Sequence, residues 1–368
     1  MEAKTNSDVR SNNRKRLVNL LFIQGEMTKQ EMVGRLDMSL PTVNYLVREL
    51  TERGLLTAGT AKDSTGGRKP VCICPVYDAR FSVGVEAASD ELHLVLLDLG
   101  GHILAKETVP MKQENTCVYW QQVGKRIRAF GEEHKIDKEK LLDVGITLGV
   151  TMQDERLVER KYGYPGFAMD LAAAREGLSM PVHFRNSTKM AAVAHCWQGT
   201  RQGSFIYVNL GQKVSGAFVH EGNVLDFAGL NGELGCMLAL GAPKAQYLDE
   251  ILSREALCQR SGSRNLAEFF DRLKAQEPEI CAYWETYLGD LSAFLYNLYC
   301  MFGWRIVIGG SSSPYLAEYL PAVEEQIRRH YPFEGPKDRI LSTSVLGEYG
   351  AAVGAAMLPV DQYLEFKI

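Results

Sequence analysis

"FSVGVEAASDELHLVLLDLGGHILAKETV", residues 81–109, reads as three strands in succession, with Gly100-Gly101 turning the second into the third. Working outward, a helix follows over roughly Thr116 to His134, then the strand "DVGITLG" (143–149). The stretch "PVHFRNSTKMAAVAHCWQG" (181–199) continues with a short strand over Val182 to Phe184, a polar knot and an Ala-rich helix from Met190 to Trp197. From Ser204 the same order returns. "FIYVNLG" (205–211), "VSGAFVH" (214–220) and "NVLDF" (223–227) make a second meander, turned tightly at Glu221-Gly222. Helices fill roughly 247–300, then come the strand "RIVIGG" (305–310), a helix, and a strand–helix ending in "GAAVGAAML" (350–358).

A βββαβα unit used twice is the pattern of the duplicated actin-like, sugar-kinase-type ATPase fold, an α/β architecture of two lobes. Its ligand is expected in the cleft between the lobes. Residues 79–368 are therefore assigned to a two-lobed effector and oligomerisation domain.

The region ahead of this body patterns differently. Residues 1–12 are polar and expected to be a disordered tail, and 13–78 read as a winged helix-turn-helix. Arg14 to Gln24 fits one helix, and "TKQE" (28–31) is a capping box opening a second that ends near Leu36. Ser39 caps a third helix with Pro41 in its first turn. Val43, Leu46, Val47 and Leu50 form its buried stripe, which leaves Thr42, Asn44, Tyr45 and Arg48 facing outward. Such a helix would lie in the major groove of double-stranded DNA, with Thr42, Asn44 and Tyr45 near base edges and Arg48 nearer phosphate. Leu55 to Thr57 and Val71 to Cys74 can pair around a wing whose Arg68 and Lys69 are placed to enter a minor groove. A helical adaptor packing on protein is the competing reading. Order and spacing of cap, turn, stripe and wing favour DNA.

Composition agrees with this division. Residues 1–80 hold 13 Lys/Arg against 9 Asp/Glu, whereas the whole chain of 368 residues carries a net charge of −4. A basic end on an acidic body suits a polyanion partner at that end. The apolar run Leu17 to Ile23 is too short to span a membrane, no signal peptide is read, and a cytoplasmic protein without membrane partners is expected. Eight cysteines are scattered with no C-x-x-C pair, so no metal site, disulfide framework or cofactor is indicated.

A winged helix, the "GRKP" joint (67–70) and this duplicated body resemble the ROK family, whose members are sugar-responsive repressors and sugar kinases. In family kinases the first hairpin carries an Asp followed by glycines that let backbone approach phosphate. The matching stretch here is Glu86-Ala87-Ala88-Ser89-Asp90, without a glycine. The second phosphate hairpin reads "LGQKVSGAF" (210–218), with Gln212 and Lys213 in its turn. The family's Glu-Asn-Asp-Ala-Asn run, whose Asp is the catalytic base, corresponds to Arg185, Asn186, Ser187, Thr188 and Lys189. The base position holds a hydroxyl, so phosphoryl transfer is not expected. The family's Gly-Glu-Ile-Gly-His corresponds to Gly232-Glu233-Leu234-Gly235-Cys236, and the zinc-binding cysteines that follow in the family are missing. By the same resemblance Asp249 in "QYLDEILS" (246–253) is a further acidic sugar contact.

Gly149, Asn186, Ser187, Glu233, Cys236 and Asp249 are thus the candidate effector set, with "YGYPGF" (162–167) as an aromatic wall. Two of them have a plainer alternative: Glu233 and Asp249 could be polar surface. Asn186 could simply cap a helix. The resemblance implies a transcriptional regulator, a repressor by family habit, of carbohydrate-related genes. It implies a sugar or sugar-phosphate effector and a homodimer or homotetramer, with "YLGDLSAFLYNLYCMF" (287–302) serving core and interface. An active sugar kinase with unusual motifs and a DNA-bound scaffold controlled by a regulatory protein partner are the rivals.

Overall fold

The computed structural model describes residues 6–61, 71–150, 152–153, 156–157, 171–198, 203–225, 232–239, 246–332 and 338–364. Its first unit has three helices and a three-stranded antiparallel sheet. Helix α1 (Asn6–Gln24) is followed by strand β1 (Met27–Thr28), α2 (Lys29–Leu36) and α3 (Leu40–Glu52). Strands β2 (Leu56–Ala61) and β3 (Val71–Pro75) pair antiparallel, and β1 adds to the other side of β3. The Thr28 hydroxyl and the Glu31 carboxylate cap each other's backbone N–H, so α2 starts where its capping box requires. Ser39 Oγ accepts from Thr42 N at the start of α3.

One expectation needs correction here. Helix α1 begins at Asn6, inside the stretch read as a disordered tail. Polarity suggested a free end, but Arg10 finds tertiary partners. Its guanidinium donates to Glu49 at 3.1 Å and sits 4.4 Å above the Tyr45 ring. An added helical turn that gains an ion pair and a cation–π contact can offset its ordering entropy.

The body follows a short turn at Tyr77–Ala79. Its first sheet contains β4 (Phe81–Ala87), β5 (Glu91–Asp98), β6 (Ile103–Pro110), β7 (Val144–Leu148) and, after the ribbon β8 (Met152–Gln153) with β9 (Arg156–Leu157), β10 (Val182–Asn186). Its second contains β11 (Phe205–Leu210), β12 (Val214–His220), β13 (Asn223–Val224) and, after the ribbon β14 (Leu238–Ala239) with β15 (Gln246–Tyr247), β16 (Arg305–Gly309) and β17 (Leu341–Thr343). The orders are β10-β7-β4-β5-β6 and β13-β12-β11-β16-β17. Counted by appearance, both sheets have the same order, three antiparallel strands followed by two parallel ones. The duplication expected from the sequence is therefore a duplication in space, in the actin-like arrangement.

Helices form three layers around these two sheets. Helices α4 (Cys117–Glu133) and α5 (Leu171–Leu178) cover the outer face of the first sheet through Trp120, Val123, Phe130 and Leu178. Helices α7 (Asp249–Leu252), α8 (Arg254–Ser261), α9 (Leu266–Lys274), α10 (Pro278–Phe302), α11 (Ser313–Leu316) and α12 (Leu320–His330) enclose the largest core against the second. Between the sheets run α6 (Ser187–Gln198) and α13 (Gly350–Leu364). Gly84 and Gly145 let α13 lie directly on the first sheet. A Cβ at either would come within 2.0 Å or less of the carbonyl oxygen of Ala352 or Ala355.

The head is not a bead on a string. Its core of Leu17, Leu21, Phe22, Leu46 and Leu50 is continuous with Leu99 of the body and with Val360 and Leu364 at the end of α13. The Phe22 and Tyr77 rings meet edge-on at 5.8 Å across the joint. Among the described residues no helix is long and apolar enough to cross a membrane.

Candidate functional site

Two surfaces carry chemistry, the outward face of α3 and the cleft beside α6. On α3, Val43, Leu46, Val47 and Leu50 are buried as their spacing requires, and Pro41, Asn44, Tyr45 and Arg48 are exposed. Thr42 is half-buried, its hydroxyl 2.8 Å from that of the exposed Ser39. Arg48 lies 3.8 Å from Glu52 and 5.8 Å from the centre of the Tyr45 ring. Arg10 and Arg14 of α1 both reach Glu49, and the Arg10 guanidinium also lies over the Tyr45 ring. A basic and aromatic row thus runs from α1 onto α3. Sequence reasoning missed Arg10 because it lay in the segment taken for a tail. Arg68 and Lys69 at the wing tip lie outside the described residues, as does "YGYPGF".

In the cleft, the polar knot between β10 and α6 does not exist as a loop. The strand ends at Asn186 and the helix begins at Ser187. Asn186 makes that join: its Oδ1 accepts from Lys189 N at 3.0 Å, and its Nδ2 donates to the Val150 carbonyl at 2.8 Å. The side chain therefore caps α6 and pins the backbone that follows the exposed Gly149. Asp249 is buried, and its Oδ1 accepts from Val214 N at 2.6 Å beneath Gly235. Its place at the start of β12 is structural. Glu233 and Cys236 are half-buried on the short turn that runs beside β12, tied by the Gly216 N–H donating to the Gly232 carbonyl.

What joins the halves of the candidate set is a pair of hydroxyls. Thr188 and Ser215 approach to 2.6 Å, and Asn209 Nδ2 donates to Ser215 Oγ at 3.3 Å. Ser215 follows Val214, the residue held by Asp249, so β12 links the Asn186–Ser187 side of the site to the Glu233–Asp249 side. The hairpin tips also meet, Ser89 Oγ donating to Gln212 Oε1. Those tips would flank nucleotide phosphates in a kinase of this fold, and side chains here bridge the gap.

The cleft also holds a carboxylate that the reading of residues 185–189 could not supply. Glu86, at the end of β4, lies by Ser187. Burial pushes its pKa up to about 7, against a smaller opposing pull from the Ser187 hydroxyl, and Glu91 and Glu348 push it further in the same direction. Ser187 Oγ is itself buried and makes no hydrogen bond of ordinary geometry. Opposite Glu86 on β5 stands His93, whose burial lowers its pKa against an opposing pull from Glu91 and Glu348.

The family model described as "ROK family" matches residues 82–362. The uncharacterized protein y4fQ of Sinorhizobium fredii is 23% identical over 365 residues, covering 94% of this chain and 90% of its own. A xylose repressor of Caldicellulosiruptor bescii is 22% identical over 60% of this chain and 57% of its own. Among solved structures, a ROK family transcriptional regulator homologous to the Escherichia coli MLC protein superposes with a TM-score of 0.76 at 17% identity, covering 97% of this chain and 96% of that one. A ROK family glucokinase from Streptomyces griseus, with glucose and AMPPNP bound, gives 0.62 at 18% identity, covering 76% of this chain and 99% of that one. The regulator thus matches head and body together, while the kinase stops short of about a quarter of the chain. From the match over nearly all of the two-lobed body, the chain belongs to the ROK family.

Proposed function

We propose that the protein is a DNA-binding transcriptional regulator, a repressor of carbohydrate-related genes, whose kinase-like body senses a sugar or sugar phosphate without transferring phosphate. The observation that carries this reading is the row of Arg10, Asn44, Tyr45 and Arg48 on the open face of a helix-turn-helix. The regulator-type relatives support it, among them the DNA-binding transcriptional dual regulator NagC of Escherichia coli, 22% identical over 34% of this chain. Ser187 in the base position and the Ser89–Gln212 bridge argue against phosphoryl transfer. A homodimer or homotetramer would set two heads at a fixed half-site spacing, and an effector favouring one lobe arrangement would change that spacing.

The test is fluorescence anisotropy with DNA from upstream of the protein's own gene, repeated with sugars and sugar phosphates at fixed salt. Specific binding that one compound weakens supports the reading. Tight binding that no compound shifts retires the effector and points to a regulatory protein partner. Absence of specific binding removes the reading. One observation favours a second function: Glu86 places a carboxylate beside Ser187, so the chain could retain kinase activity. Hexose-dependent ATP turnover that disappears in Glu86→Gln would establish it.

A further inference from the structure

We propose that Glu91, His93 and Glu348 form a binding site for one divalent first-row transition ion, of the zinc class. The ligand atoms of these three side chains all lie within 4.8 Å of one another. Glu91 and His93 are two residues apart on β5, so their side chains share the face turned toward α13. Glu348 comes from the single turn at Gly347–Tyr349 that leads from β17 into α13. Glu91 Oε1 stands 3.3 Å from His93 Nε2. Tetrahedral bonds of about 2.0–2.1 Å place neighbouring donors about 3.3 Å apart, so this pair already has the spacing of two ligands on one ion.

The surroundings point the same way. His93 is buried, and its other nitrogen, Nδ1, lies 3.2 Å from Thr108 Oγ1, which is 2.8 Å from the Tyr349 hydroxyl. The ring edge meets Tyr349 at 5.4 Å between centroids. That is the outer support of a metal-binding imidazole: a partner on one nitrogen fixes the ring and aims the other at the ion. Two glutamates face this one imidazole, and Glu86, with the buried Ser187 hydroxyl beside it, adds a third carboxyl that interacts with both. Two cations lie nearby: Lys106, over the Tyr349 ring at 4.7 Å, and Arg254 at the start of α8, whose charge acts on His93. A divalent cation would neutralise the two carboxylates and leave a position open to water. One nitrogen and two oxygens suit zinc, cobalt or manganese better than the thiolate-preferring ions. Bound there, the ion would tie the first hairpin to the chain entering α13.

The experiment uses the full chain, stripped with chelator and titrated with Co²⁺ alone, then with Zn²⁺ in competition. One equivalent of Co²⁺ with a visible d–d band, displaced by Zn²⁺, is expected. Glu348→Gln, at an exposed position that should not disturb folding, and Glu91→Gln should each weaken binding tenfold or more. Failure to bind Co²⁺ at micromolar concentration overturns the proposal. So does binding that both variants retain, and so does binding that carries the near-ultraviolet thiolate band of cysteine ligation.

Discussion

Arg10 shows how much a single side chain can decide at the proposed DNA face. Its charge sits on the Tyr45 ring beside Arg48, and a phosphate approaching α3 would meet both guanidiniums. Arg10→Ala is expected to weaken binding alike for every sequence and to reduce the salt slope by about one. Asn44→Ala should instead cost about 1–3 kcal/mol on the preferred operator and less on others. Anisotropy titrations at several salt concentrations separate the two, and equal losses on all DNA for both variants would remove Asn44 from base contact. Glu86 supports a prediction about pH. In the folded chain its carboxyl keeps its proton up to about pH 7, against an ordinary value of 4.5. Between those values the folded state binds more protons than the unfolded one, so stability falls as pH rises through the window. Glu86→Gln in metal-free buffer should therefore gain on the parent between pH 5 and 8, by up to about 3 kcal/mol in chemical denaturation. A difference that stays flat with pH would show that Glu86 is not buried as described. Neither residue's role was legible in the sequence. Arg10 depends on a contact with α3, and Glu86 meets Ser187 from a strand far away in the chain. Asn186 and Asp249 were read as effector contacts, and in the fold the Asn186 amide and Asp249 Oδ1 bond backbone groups.

At the level of elements, hydrophobic pattern and turn residues were enough to place the strands of the two main sheets, but not β1 or the short ribbons β8–β9 and β14–β15. The three runs within residues 81–109 became β4, β5 and β6 because alternation and glycine turns act over a few residues. What periodicity cannot show is how closely elements approach. The strand–helix join at Asn186 and Ser187 looked like a loop because five polar residues stood together there. The α13 crossing was hidden for the same reason, since small residues announce closeness without naming the partner. Gly84→Ala would put a methyl carbon 2.0 Å from the backbone carbonyl oxygen of Ala352. A loss of about 3 kcal/mol is expected, because the opposing atom is backbone and cannot rotate aside. Thermal unfolding of the variant measures it, and an unchanged melting temperature would mean that α13 does not sit on the sheet.

For the whole molecule, the shared core between head and body matters more than either part. Leu364 is almost fully buried, and Val360 beside it packs into the same cluster as Leu17 and Leu46. Leu364→Ala should cost about 2–4 kcal/mol and lower the stability of the DNA-binding unit, although the mutation lies at the far end of the chain. Calorimetry is expected to show head and body melting in one transition. A separate early transition for the head, unaffected by Leu364→Ala, would contradict the shared core. The division into a reading head and a two-lobed body was legible from patterning and charge. Their fusion was not, because Leu17 to Leu50 on one side and Val360 and Leu364 on the other stand more than 300 positions apart.

That fusion has a consequence for how the protein is made. The ribosome delivers α1, α2 and α3 first, but the side chains that complete their core arrive with α13. At about 5–20 residues per second, the gap amounts to roughly 15–60 s. During that interval the nascent head lacks part of its floor, and its apolar underside waits uncovered. A truncated or stalled chain would carry all the residues that face DNA and still hold them on an unfinished support.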